Sequence, residues 1–430
     1  MLKNKIKYVF LKRTNGIINL NYELFIAKRI IAGKAYKNSI SSPIIKIAIT
    51  AIALGIIIMM ISIATGSGMQ QKIRDKVSGF KGHVQITNYD DNNSEVSINP
   101  IDKTQDFYPK FTTIDGIKNV QIFANKAGLI RTATDFEGII FKGVSTDYDW
   151  SFFTEYLVEG KLPNFNQTRV RDVLLSKTLV DRLNLKLNDT INVFFLKSTK
   201  NKLPSRYKLI IVGIYDTGFN QFDKNMVIGD IKEVQRSNKW NENQIGGFEV
   251  LIDNFDEIEQ RGNEIYAEIG STLNSNTIVE SYAFIFEWIE LFDNNVWFII
   301  GIMILVASIN MITALLVLIL ERVQMVGILK ALGSANWSIR KIFLYNAGYL
   351  ILKGLFWGNV IGITLLVLQQ QFGFITLDPT TYYVSTVPVT INIFAFLILN
   401  IGTLILCFLM LIIPSVIITR INPVKSIKFA

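Results

Sequence analysis

Four long apolar runs decide what this 430-residue chain can fold into. They fall at residues 44–65, 296–320, 342–368 and 391–419. Each can cross a hydrocarbon core of about 30 Å, which takes about 20 helical residues. Between the first two lie about 230 residues of mixed composition, enough for an independently folded domain. The expectation is an α-helical membrane protein with four transmembrane helices. One large α+β extracytoplasmic (periplasmic) domain sits between helices 1 and 2. The first run starts too far along the chain, and is too long, for a cleavable signal, so it is expected to remain as an anchor. Cys407 and His83 are the only residues of their kinds, which excludes an internal disulfide and a Cys/His metal pattern. No G-x-x-x-x-G-K-[ST] loop occurs, so no P-loop nucleotide site and no cofactor are expected in this chain.

Charge sets the expected orientation. Residues 66–296 hold 26 Lys/Arg against 32 Asp/Glu, while the rest of the chain holds 18 against 3. The basic excess therefore flanks the apolar runs. Residues 1–43 carry nine basic residues and one acid, Glu23, and residues 369–390 carry no Lys or Arg. The positive-inside rule then places both termini and the segment 321–341 in the cytoplasm. The expected division is a cytoplasmic N-terminus with an interfacial helix (1–43), helix 1 (44–65), the periplasmic domain with helical stalks (66–295) and helix 2 (296–320). A cytoplasmic coupling loop (321–341), helix 3 (342–368), a periplasmic loop (369–390), helix 4 (391–419) and a cytoplasmic tail (420–430) follow. Topology and anionic lipid account for the basic N-terminus, so no nucleic-acid partner is expected.

Within the large domain, strand-like alternation falls at 83–87, 172–176, 190–195, 207–213, 225–228 and 247–252. Helical patterns fall at 177–184 and 255–272. Apolar stripes continue past the first span (Met69, Ile73, Val77, Phe80) and precede the second (Phe284, Trp288, Leu291, Phe292), which predicts that both spans extend outward as helices. Gly66 and Gly68 suggest a hinge where the first leaves the membrane, with the glycine-free second stalk as the rigid lever.

The segment 321–341 (ERVQMVGILKALGSANWSIRK) is a short charged stretch between two spans. Met325, Ile328 and Leu332 recur near helical spacing, with Lys330 beside them and Gly333 after them. That is the pattern of a short amphipathic helix made to enter a groove. In the third run, Gly354, Gly358 and Gly362 form two overlapping GxxxG steps, a helix-packing pattern. Asn310, Asn346 and Asn359 are candidates for hydrogen bonds across helices. Lys353 is a charge inside a span with no acid in any of the four runs, which marks it as a possible functional charge.

Four regions carry a resemblance: 22–29 (YELFIAKR); 53–55, 66–74 and 79–84; 158–162 with 173–183; and 321–333 with 420–425. In this order the chain resembles the FtsX/MacB-like group of ABC transporter permeases, and within it the Lol lipoprotein-releasing permeases. The resemblance implies a non-enzymatic subunit of the bacterial inner membrane that extracts lipoproteins for a periplasmic carrier. It implies partner ABC ATPase subunits that bind ATP and Mg, a second permease copy or paralogue, and an acylated lipoprotein substrate. It makes Met325, Ile328, Lys330, Leu332 and Gly333 the ATPase-coupling residues. It suggests that acyl chains enter between Met59, Met60 and Ile63 on one side and Trp297 and Phe298 on the other. It makes the polar loop with Lys197, Leu203, Pro204 and Arg206 a candidate carrier-binding loop. The alternatives are an FtsX-like regulator acting on a periplasmic cell-wall hydrolase and a MacB-like efflux permease.

Overall fold

The computed structural model describes residues 22–32, 42–91, 94–166, 170–196 and 205–421. In chain order the helices that matter are α1 (Tyr22–Ala32), α2 (Ser42–Lys81), α3 (Lys177–Arg182), α4 (Ile231–Asn238) and α5 (Ile258–Glu268). They are followed by α6 (Ala283–Glu321), α7 (Val323–Ala331), α8 (Asn336–Phe372) and α9 (Ile393–Ser415). Four of them, α2, α6, α8 and α9, are long and apolar enough to cross a membrane. The strands are β1 (Val84–Asn88), β2 (Ile101–Asp102), β3 (Ile117–Arg131), β4 (Phe136–Val144), β5 (Leu157–Gly160) and β6 (Asp172–Ser176). The remainder are β7 (Thr190–Phe195), β8 (Ser205–Tyr215), β9 (Met226–Asp230), β10 (Gln244–Ile245), β11 (Gly247–Ile252) and β12 (Leu273–Thr277). The chain forms two compact units. One comprises Thr65–Asn294 with Leu368–Thr390; the other holds the apolar helices.

In the sheet unit, ten strands run β12-β1-β11-β3-β4-β9-β6-β8-β5, with β7 bridging β3 and β8. The bridge closes a ring of six strands: β3, β4, β9, β6, β8 and β7. The β4–β9 and β6–β8 pairings are parallel and the other pairings antiparallel. The first half of β3 pairs β11, and its residues 128–131 pair both β4 and β7. Closing a sheet on itself removes exposed edges. Close approach needs glycine at two points. A Cβ on Gly143 would lie 2.7 Å from the Ile231 Cα of α4, and one on Gly229 would lie 2.4 Å from the Phe141 ring.

A buried ion pair ties four neighbouring strands to the end of α2. Lys142 and Glu249 lie 2.8 Å apart with side chains 1% and 0% exposed. Glu249 also accepts from Gln85 (3.2 Å) and Gln121 (3.0 Å), and Lys142 donates to the Phe80 carbonyl (2.6 Å). That carbonyl is one of the unpaired acceptors at a helix C-terminus, where a cation also complements the helix dipole. Burial pulls the Lys142 ammonium below its ordinary range, and Glu249 opposes the shift. Gly82, at φ +70°, then turns the chain into β1. Around the same helix end, the Phe80 ring meets Phe152, Phe153, Tyr215 and Phe222 at 4.7–5.9 Å. Such aromatic pairs contribute about 0.5–1.5 kcal/mol each beyond their burial.

The structure corrects the hinge expected at Gly66 and Gly68. Both lie inside the uninterrupted 40-residue helix α2. A Cβ on Gly68 would fall 2.6 Å from the Pro388 carbonyl oxygen, so this glycine lets the 368–390 segment cross the helix closely. The same segment is fastened at Tyr383, whose carbonyl accepts from Lys76 (2.9 Å) and whose ring packs on Phe219 and Trp288 (5.0 and 5.6 Å). α6 starts at Ala283, so the second span does extend outward as a helix. Ahead of it, Thr277 and Glu280 form a capping box on the short turn 278–281.

In the helical unit, α8 is the central packing surface. Cβ atoms on Gly354 and Gly358 would lie 2.7 and 2.9 Å from atoms of Ile52 and Ala53 on α2, and one on Gly362 would lie 3.2 Å from the Met60 sulfur. The GxxxG face therefore packs against α2. On the α9 side, Gly348 makes room for Phe408, and Asn359 and Asn400 exchange two side-chain hydrogen bonds of 2.6 and 2.9 Å. Asn346 instead donates within its own helix, to the Ile342 carbonyl at 3.2 Å.

Candidate functional site

Between α6 and α8, the chain makes the nine-residue helix α7. Its end is fixed by two hydrogen bonds: Gly333 N donates to the Lys330 carbonyl and Ser334 N to the Leu329 carbonyl, both at 3.0 Å. With Gly333 at φ +89°, this is a Schellman motif, which only a left-handed residue closes without strain. Val326 and Gly327 are buried and Met325 is half-buried. Ile328 is 46% exposed and Leu332, the capping residue, 78% exposed. Trp337, 52% exposed in the first turn of α8, is the large apolar residue that the sequence reading passed over. Its signal was a lone aromatic in an otherwise polar stretch.

Lys330 is tied back to a distant part of the chain. It donates to the carbonyls of Thr419 (3.2 Å) and Ile421 (2.9 Å), beyond the end of α9. Arg340 does similar work one helix further on, donating to Ser415 Oγ (2.9 Å) and the Ile412 carbonyl (3.2 Å). Pro414 lies inside α9, lacks an N–H and so leaves a carbonyl unpaired one turn earlier. The helix that carries the third apolar run begins at Asn336, six residues ahead of that run.

The acyl-chain group is not one surface. Met59 and Met60 are fully buried, Met60 against Gly362 of α8, and Ile63 is half-buried. Trp297 and Phe298 on α6 are each 71% exposed. The buried methionines are packing residues; the two aromatics remain available to a ligand. Of the carrier-loop residues, Lys197, Leu203 and Pro204 lie outside the described residues. Arg206 belongs to strand β8, where its Nε donates to Asn192 of β7 at 2.9 Å. Lys353 is exposed on α8, with its Nζ 4.8 Å from the centroid of the Tyr349 ring.

The sheet unit also holds a polar pocket of about 570 Å³ lined by Lys72, Asp75, Lys76, Glu155, Tyr156 and Asp216, among others. Desolvation lowers Lys76 to about 8, against the pull of Asp223 and Asp216. It raises Asp223 to about 6, although Thr217 donates to that carboxylate at 2.7 Å. Among the described residues, no group of three or more His, Cys, Asp or Glu could hold a metal ion.

Four spanning helices, a large α+β unit inserted after the first, and a short helix with exposed apolar residues after the second define a membrane permease subunit. Residues 47–268 match the MacB-like periplasmic core domain and residues 297–423 the FtsX-like permease C-terminal region. The first match covers more than half of the chain, which therefore belongs to the FtsX/MacB-like family of ABC transporter permeases. Among similar proteins, the lipoprotein-releasing system transmembrane protein LolC of Xylella fastidiosa is 16% identical over 91% of this chain and 95% of its own length. The corresponding LolE of Haemophilus influenzae is 20% identical over 82% and 84%. The solved periplasmic region of MacB from Actinobacillus actinomycetemcomitans is 16% identical over 48% of this chain and 92% of its own, with a TM-score of 0.33.

Proposed function

We propose that this chain is the permease subunit of a bacterial inner-membrane exporter that extracts lipoproteins and passes them to a periplasmic carrier. The observation that carries the reading is the nearly full-length similarity to lipoprotein-releasing permeases, over 91% of this chain and 95% of the relative. The charge asymmetry supports an orientation with both termini and α7 in the cytoplasm and the sheet unit in the periplasm. ATP and Mg belong to separate ATPase subunits, and a second permease copy or paralogue completes the complex.

In this reading Ile328, Leu332 and Trp337 enter a groove on the ATPase, as an amphipathic segment does. The Schellman end holds Leu332 at a fixed height, so motor closure displaces the helix as a body. Trp297 and Phe298 form the acyl-chain surface on α6. The loop 197–206 meets the carrier.

The test is release of a triacylated lipoprotein from proteoliposomes holding the permease, its ATPase and the soluble carrier. Leu332→Asp should lower ATP-dependent release by at least about tenfold, because a carboxylate would be desolvated in the groove. A photo-crosslinker at Phe298 should label the lipoprotein, and one at Met60 should label only protein. Unimpaired release by Leu332→Asp would refute the coupling assignment. Activation of a cell-wall hydrolase without any lipoprotein release would replace this function with a regulatory one.

A further inference from the structure

One face of α8 differs from the lipid-like faces of the spanning helices. Tyr345, Tyr349 and Lys353 recur at every fourth residue and share one helix face, with Lys341 and Trp357 at its two margins. Tyr345 and Tyr349 are 38% and 36% exposed, and Trp357 is 53% exposed. Lys353 is exposed too, and its ammonium sits 4.8 Å from the centre of the Tyr349 ring. Tyr349 lies one turn nearer the Asn336 end, so the lysine reaches toward that end of the helix.

Depth can be read from the packing of α8 on α2. Gly354, next to Lys353, approaches Ile49 and Ile52. Those residues lie three and six positions past the exposed Lys46, a rise of about 5–9 Å. By this packing Lys353 is level with the α2 residues one to two turns past Lys46, although it lies eleven residues into the 342–368 run, and its long side chain extends toward the interface. A charge at that depth needs a counter-ion. None of the four apolar runs holds an Asp or Glu, so no apolar run of a second copy brings a carboxylate to the depth of the Lys353 Cα. The interface itself supplies phosphate.

We propose that the Tyr345–Tyr349–Lys353 face binds a phosphodiester headgroup of an anionic phospholipid, in the leaflet at the Asn336 end of α8. Lys353 supplies the charge and an N–H donor, and the neighbouring Tyr349 hydroxyl supplies an O–H donor. Trp357 and the adjacent Phe356, 61% exposed, lie along the acyl chains. A net anionic lipid is favoured over a zwitterionic one, whose own ammonium competes with Lys353 for the phosphate. The site does not depend on what the permease transports.

The test uses the full chain in nanodiscs of phosphatidylcholine with a minority of phosphatidylglycerol, followed by native mass spectrometry of the lipids retained. The wild type should retain phosphatidylglycerol selectively. Lys353→Gln should lose about fivefold of that selectivity, the effect of one basic residue near an anionic surface. Lys353→Arg should restore it, which separates loss of charge from misfolding. Equal selectivity in wild type and Lys353→Gln would overturn the proposal. Displacement of the lipid by millimolar inorganic phosphate would overturn the lipid source in favour of a free-phosphate site. Efficient disulfide formation by Lys353→Cys with a protein partner in native membranes would overturn it in favour of a protein interface.

Discussion

The sheet unit buries a full ion pair, Lys142 with Glu249, whereas the spanning helices α8 and α9 are joined by a neutral exchange between Asn359 and Asn400. In the sheet unit, the aromatic cluster around Phe80 and the ring of strands exclude water, and Gln85, Gln121 and the end of α2 satisfy the charges left behind. In the helical unit, lipid is as apolar as a leucine side chain, so burial of apolar surface gives helices little reason to associate. Close backbone approach does that work instead, through Gly354, Gly358 and Gly362. The sheet unit's buried polar tie is an ion pair, while the contacts of α8 with α2 and α9 within the apolar layer rest on shape and neutral amides.

Removing one partner of the ion pair should have the largest effect. Lys142→Met leaves Glu249 buried and unpaired and should cost about 3–5 kcal/mol. The double variant Lys142→Met/Glu249→Leu should recover part of that loss. Chemical unfolding of the full chain in detergent, followed by sheet-unit fluorescence, measures both. A double variant no better than the single one would show that the contrast rests on packing rather than charge.

A second effect follows pH. Desolvation, with a smaller contribution from Lys118, lowers His83 to about 4, and its Nδ1 accepts from Ile252 N at 3.1 Å. Its folded value lies below the ordinary 6.5, so the unfolded chain binds the extra proton first. The neutral imidazole's contribution is complete above pH 6.5 and is lost as pH falls toward 4. The loss should reach up to about 3 kcal/mol and be flattened in His83→Asn. Thermal scans between pH 7 and 4 should show this slope in the sheet unit only; an equal slope in the helical unit would break the comparison.

Gly358→Leu should destabilise the helical unit by about 1–3 kcal/mol through overpacking against Ala53 and Ile56, without any pH dependence. Asn359→Leu should be milder, about 0.6 kcal/mol, the usual worth of a hydrogen bond between spanning helices. Retained-helix measurements in bicelles would rank the two, and the reverse order would mean that amides, not small residues, hold these helices together.

The sequence showed the helical unit more clearly than the sheet unit, and the ion pair explains why. The apolar runs and the GxxxG steps are uninterrupted signals. β3, by contrast, buries Gln121, Asn125 and Lys126, and β4 buries Lys142 and carries Gly138 and Gly143, so neither shows apolar alternation. Both escaped the sequence reading, as did α4. The short helix α7 was legible from spacing, but the bonding of Lys330 was not, because its acceptors lie about 90 residues away. Met60 was expected at the acyl-chain entry and is buried in the structure, since nothing local reveals that a glycine of α8 faces it.

The two basic residues that cap α9 have one more consequence. Lys330 and Arg340 stand on either side of the Schellman turn; Arg340 grips the last turn of α9 and Lys330 the carbonyls just beyond it. The turn therefore has two anchors on the same distant stretch of chain and behaves like a buckle rather than a free strap. Under the proposed function, a thrust applied at Leu332 would therefore not be spent on bending the 321–341 segment alone. It would drag the tail end of α9 along with it and make the fourth helix a working part of that stroke.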